Sequence, residues 1–233
     1  LTGGEIALAQ RPAPAWNSFA HTNPSALEKE LRANLAAFVR RAYRQRLFIS
    51  TQGSFSARLD RESFLITPYQ EDRGTLDASD LVLVRGDECE AGGTPSRAAR
   101  IHAAIYRRHP EIGALINAYP VNATAFGVTG AVLDSRTIPE SYIVIRQVAR
   151  VPFGLQFEDA EAMAGEISPR RPAALLDNDG VLVGGADILQ AYDRLEVLES
   201  TAEAIINTCP IGRLAPMPEE ATRELDRVFL KEE

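Results

Sequence analysis

The chain has 233 residues, 45% of them hydrophobic and 24% charged, which is enough apolar material for one sizeable core, so a single domain is expected. Its 25 basic against 32 acidic residues argue against nucleic acid or an anionic membrane as partners, and no apolar run approaches the ~20 residues of a membrane helix. The N-terminus lacks a basic segment followed by an apolar core, which makes a cytoplasmic location the default, and Cys89 and Cys209, without metal-ligand spacing, read as buried free thiols.

Residues 1–24 are rich in Ala, Pro and Gly without helical or strand period, and read as an irregular N-terminal arm suited to docking on a neighbouring subunit. The remaining residues, 25–233, read as one domain. Ser25-Ala26-Leu27-Glu28 has the form of a capping box, and Leu27, Leu31, Leu35, Phe38 and Ala42 predict an amphipathic helix to about Arg46. Phe55–Leu59 with Ser63–Thr67, and Leu81–Arg85 with Glu88–Ala91, read as two antiparallel hairpins. Ser96 is placed to cap a helix to His109, with Ile101, Ala104 and Ile105 facing inward.

The short apolar run around Ile112–Ile116 reads as a central strand buried on both faces, with Asn117, Ala118 and Tyr119 at its carboxyl end and Pro120 opening a helix. Open α/β sheets tend to seat ligands at such strand ends, so this stretch is the first place to look for a site. Ser141–Ile145 is ambiguous between helix and strand, Val151–Phe153 reads as extended, and Glu158–Ile167 as a short acidic helix. Ala173–Leu176 is a buried strand, Asn178-Asp179-Gly180 a tight turn into Val181–Val183, and Asp187 caps a long helix running to Cys209. Pro216 and Pro218 introduce a last helix to about Leu230. The fold class implied is α/β, a sheet with antiparallel strands covered by helices on both faces.

Several short stretches then fall in one order: Gly53 to Ser56, Leu65-Ile66-Thr67-Pro68, Asp80-Leu81-Val82, Gly92 to Ser96, His102 to Tyr106, Ala123-Thr124-Ala125, Ile138-Pro139, and Asn178-x-Gly180. In this order and spacing, over about Leu27 to Cys209, the chain resembles the class II aldolase/adducin family. The resemblance implies a mainly antiparallel sheet between helices, a homo-oligomer, expected as a tetramer, and, in members with aldolase or epimerase activity, a zinc or similar ion held by three histidines with a glutamate as acid/base. Here the three histidine positions hold Asn117, Tyr119 and Asp179, and the glutamate position holds Ala98. No metal and no cofactor are therefore expected, because zinc favours nitrogen and sulfur donors and an amide, a phenol and one carboxylate replace them poorly.

Three readings stay open. The chain is a degenerate member that keeps the fold for small-ligand binding or assembly, as adducin-type relatives do. It is a lyase or isomerase of zinc-independent chemistry on a small anionic carbonyl compound or sugar phosphate, using Asp179, Tyr119 or Glu140. Or it is a metal-dependent aldolase with a rebuilt site that draws on Asp179 and His102. The ligand-binding candidates are Ser96, Arg97, Asn117, Tyr119 and Asp179, with Ser96 and Arg97 the best anion site, since helix N–H groups and a guanidinium would act together there. Against these stand plainer roles: His102 as a hydrogen-bonded core residue, Asp179 as a turn residue, His21, His109 and Glu140 as surface groups.

Overall fold

A computed structural model of the protein describes residues 15–230. Among them nine strands form one sheet: β1 (Asn17–Phe19), β2 (Ser54–Arg58), β3 (Ser63–Ile66), β4 (Val82–Arg85), β5 (Glu88–Glu90), β6 (Ala114–Ala118), β7 (Val148–Val151), β8 (Ala173–Leu176) and β9 (Val181–Gly185). Their order across the sheet is β1-β5-β4-β3-β2-β6-β9-β8-β7. The two edge pairs, β1 with β5 and β7 with β8, are parallel, and all other pairs are antiparallel.

The helices are α1 (Ala26–Arg44), α2 (Ala99–Arg108), α3 (Val121–Gly127), α4 (Pro139–Ile145), α5 (Leu155–Glu158), α6 (Ala160–Glu166), α7 (Ile188–Thr208) and α8 (Glu219–Leu225). Because side chains alternate across a strand, each strand feeds two cores. In β6, Ala114, Ile116 and Ala118 pack with Leu35 and Val39 of α1 and Leu195 and Leu198 of α7. Leu115 of the same strand packs with Ala104 and Ile105 of α2 and Met163 of α6. Helices thus cover both faces. The caps form as expected at two starts, Ser25 accepting from the Glu28 N–H and Asp187 from the Gln190 N–H. No helix among the described residues is long and apolar enough to cross a membrane.

Other expectations are corrected. Asn17–Phe19, assigned from the sequence to an irregular arm, pair with Glu88–Glu90 as an edge strand; residues 1–14 lie outside the described residues. A three-residue edge strand has too few side chains to show a period. The central strand starts two residues later than the apolar run, at Ala114, so Asn117 lies inside the ladder, opposite Ser54 and Leu182. Ser141–Ile145 is helical, opened by Pro139. A strand at Val148–Val151 precedes Pro152, and the acidic helix expected from Glu158 starts at Ala160, where the Asp159 carboxylate caps α6 by accepting from the Glu161 and Ala162 N–H groups; a separate short helix, α5, precedes it. The last helix ends its α-helical part at Leu225 and continues to Leu230 as a π turn. Cys89 is buried, but Cys209 is exposed, because the apolar face of α7 runs on past the core that buries Leu198 and Ala202.

Candidate functional site

A cleft of about 180 Å³ opens where the carboxyl end of β6 meets the amino end of β2, the start of α2 and the β8–β9 turn. The residues singled out in the sequence, Ser96, Arg97, Asn117, Tyr119 and Asp179, all line it, although three strands and five helices separate the first from the last along the chain. Glu140 does not: it is exposed on the first turn of α4. His21 and His109 are half-buried and engaged elsewhere, with Glu28 and with the Ala164 carbonyl.

Asn117 is held from behind. Alternation along β6 turns its side chain toward α2, where its Oδ1 lies 2.7 Å from Nε2 of His102. Nδ1 of His102 is 2.6 Å from Ser56 Oγ, which is 2.7 Å from the Tyr106 hydroxyl. The far end sets the direction of this hydrogen-bond relay. The buried Tyr106 phenol has Ser56 as its hydrogen-bond partner and must donate to it; Ser56 then donates to Nδ1, and Nε2–H donates to Asn117. His102 is therefore neutral, in keeping with burial that lowers its pKa from 6.5 to about 4. With its carbonyl taken, Asn117 turns its NH2 group, a pure donor, to the cleft.

Tyr119 and Asp179 form a second pair. The positive φ of the β8–β9 turn falls on Asn178, at 54°, rather than on Gly180. Gly180 is required for a different reason, since a Cβ there would lie 2.2 Å from the Ala118 carbonyl oxygen and 2.9 Å from the Tyr119 ring. This close approach sets the Asp179 carboxylate near the Tyr119 ring, where each perturbs the other's ionisation, and 3.1 Å from Nε2 of Gln156. Desolvation raises the Asp179 pKa above the usual carboxylate range, against the opposing pull of Gln156, Tyr119 and the Arg97 charge. Desolvation and the neighbouring Asp179 likewise raise that of Tyr119.

Ser96 differs from its expected role. α2 begins at Ala99 with no side-chain cap, and the Ser96 hydroxyl instead bonds that of Ser54 and accepts weakly from the Ala98 N–H at 3.3 Å. The turn before the helix is thereby pinned to β2. Arg97 lies across the Tyr69 ring, 5.9 Å from its centre, and Ala98, in place of an acid/base glutamate, also lines the cleft. Two lining residues gave no sequence signal. Arg73 is 2% exposed, and its guanidinium donates to the carbonyls of Gly53, Pro68 and Glu71, knitting together the two loops of the cleft wall; burial lowers its pKa to about 10. Gln156 follows Gly154, whose φ of 103° makes the turn into α5.

The family model for the class II aldolase and adducin N-terminal domain matches residues 33–206. The chain belongs to this family. A 3-oxo-tetronate 4-phosphate decarboxylase from Pectobacterium atrosepticum is 31% identical over 188 residues, which is 76% of this chain and 84% of the relative. A methylthioribulose-1-phosphate dehydratase from Pectobacterium carotovorum is 29% identical, over 64% of this chain and 80% of the relative. Among solved structures, YgbL from Escherichia coli superposes with a TM-score of 0.79 at 24% identity, over 85% of this chain and 99% of that one. L-fuculose 1-phosphate aldolase from Glaciozyma antarctica does so at 0.73 and 22%, over 97% and 88%.

The zinc that the class II aldolase/adducin resemblance implies does not fit this donor set. Asn117 offers the cleft only an amide NH2, both ring nitrogens of His102 are engaged, and among the described residues no three His, Cys, Asp or Glu side chains converge.

Proposed function

We propose that this class II aldolase/adducin-fold protein binds a small organic anion in the cleft between Arg97, Asn117, Tyr119 and Asp179, and does not run the zinc-dependent aldol route. The observation that carries this reading is the chemistry at positions 117, 119 and 179, where an amide, a phenol and one carboxylate form a hydrogen-bonded polar wall instead of a three-histidine cage. Arg97, with Ser96 at the turn into α2, supplies the positive side of the site and is the proposed contact for a phosphate or carboxylate. Arg73 adds positive potential from within the cleft wall, its buried guanidinium donating to the carbonyls of Gly53, Pro68 and Glu71. That the two relatives described above are named for phosphate-bearing substrates supports a phosphorylated ligand.

A second reading, a zinc-independent lyase or isomerase on the same anion, is favoured by Asp179. A carboxyl whose pKa is raised by burial and which sits against a phenol has the properties of a proton-transfer group. The test runs in two stages. Elemental analysis of protein purified without chelator or nickel, followed by calorimetry with sugar phosphates and hydroxy acids, should give anion binding with no stoichiometric zinc. One zinc per chain, lost in Asp179→Ala, would overturn the proposal. Turnover of any bound compound, abolished in Asp179→Asn, selects the enzyme reading over the binding one. We further propose a cytoplasmic homotetramer: the free thiols suit a reducing compartment, and the exposed Ile206, Ile211, Val228 and Phe229 supply apolar surface for a subunit contact. Light scattering that gives the mass of one chain would refute the assembly.

A further inference from the structure

Gln156 lines the cleft and carries an unmet, buried hydrogen-bond acceptor beside it. Its side-chain nitrogen donates to Asp179 Oδ2 at 3.1 Å, which orients the amide, since a carboxylate oxygen calls for the N–H side. The other end, Oε1, is buried and has no donor among the described residues, and the residue as a whole is only 6% exposed. An amide carbonyl removed from water without a partner costs about 1–3 kcal/mol, so a donor that enters the cleft with the ligand recovers this. Neither Asn117 nor Arg97 faces the same need, because both present N–H groups. The wall therefore carries donors at Asn117 and Arg97 and an acceptor at Gln156, all lining one space.

Resting on the anion-binding reading above, we propose that Gln156 is a specificity-determining residue that accepts a hydrogen bond from a ligand hydroxyl, while the Asn117 NH2 group donates to a carbonyl or carboxylate oxygen of the same molecule. The ligand class is then a small hydroxy anion, with a hydroxyl carried near a carbonyl or carboxylate, and its simple deoxy analogue binds less well. The discrimination is expected because only the hydroxylated ligand gives Gln156 Oε1 the partner it lacks in the free protein, whereas the deoxy analogue leaves it unpaired.

The experiment is calorimetric and needs no variant for its first arm. Affinities of the whole chain are measured for 3-phosphoglycerate and its 2-deoxy counterpart, and for lactate and propionate. The hydroxylated member of a pair is expected to bind about tenfold or more tightly. In Gln156→Met, which keeps length without an acceptor, that ratio should fall to near one while the deoxy compound still binds; Asn117→Asp, which replaces the donor by a carboxylate, should weaken all four compounds. Equal binding of hydroxylated and deoxy compounds by the wild type overturns this inference alone. A hydroxyl preference that survives in folded Gln156→Met moves the hydroxyl away from Gln156 and overturns the assignment. No binding of any of these anions overturns the anion-binding reading and this one with it.

Discussion

Replacing His102 by glutamine should change how the stability of the protein depends on pH. His102 is fully buried between Ser56 and Asn117, and desolvation lowers its pKa to about 4, only partly offset by the Asn117 hydrogen bond. Above pH 6.5 the ring is neutral folded or unfolded, and it adds nothing to the pH dependence. As pH falls from 6.5 toward 4, the unfolded chain takes up a proton that the folded one refuses, so stability declines; below about 4 both forms carry it and the decline stops. At about 1.4 kcal/mol per pH unit, this window removes about 3 kcal/mol. Urea unfolding of wild type and His102→Gln between about pH 7.5 and 4.5 provides the comparison, read as the difference between the two curves. Asp60 and Asp134, whose pKa values are lowered, lose stability at still lower pH, and Asp179, with a raised pKa, acts in the opposite sense; these contributions cancel in the difference. A difference that is flat with pH, or a His102 ring that titrates near 6.5 by NMR, would refute both the tautomer chain and the donor face assigned to Asn117.

Gly180→Ala should destabilise the fold by about 2 kcal/mol or more and weaken anion binding, because the added methyl meets the Ala118 carbonyl and the Tyr119 ring; an unchanged melting temperature would contradict it. Arg73→Lys should cost nearly as much as Arg73→Met, about 3 kcal/mol by urea unfolding, since one ammonium cannot reproduce a planar fork that serves three carbonyls. Arg32→Ala, which leaves Glu28 and Glu90 without their buried partner, is expected to cost about 3 kcal/mol, much of it recovered by also changing both glutamates to glutamine. Histidine at positions 117, 119 and 179 together should raise zinc affinity measured by competition with a chelating dye, with aldol cleavage still absent until Ala98→Glu is added; no gain in affinity would mean that the backbone no longer presents the three positions to one ion.

What the sequence alone determined was whatever local patterning controls. The three- and four-residue spacing of α1 and α7, with Ser25 and Asp187 as caps, the polar turns of the two hairpins, and the order of short motifs that revealed the family are all carried by neighbouring residues. The cleft's first members were legible too, because the family resemblance marks positions 117, 119 and 179, although Asn117 lies inside the ladder rather than past its end. Tertiary structure decided the rest. Only sheet pairing sets Ser54 of β2 opposite Asn117 of β6, and only the packing of α2 and the turn before it over these strands brings Ser96 to Ser54 and His102 to Ser56. Only the packing of α5 against the β8–β9 turn joins Gln156 to Asp179, and only the folding of two loops around one guanidinium reveals Arg73 as part of the wall. A glutamine or arginine in a polar stretch of sequence is indistinguishable from a solvated one, because its role depends on which remote carbonyls and carboxylates burial leaves within reach.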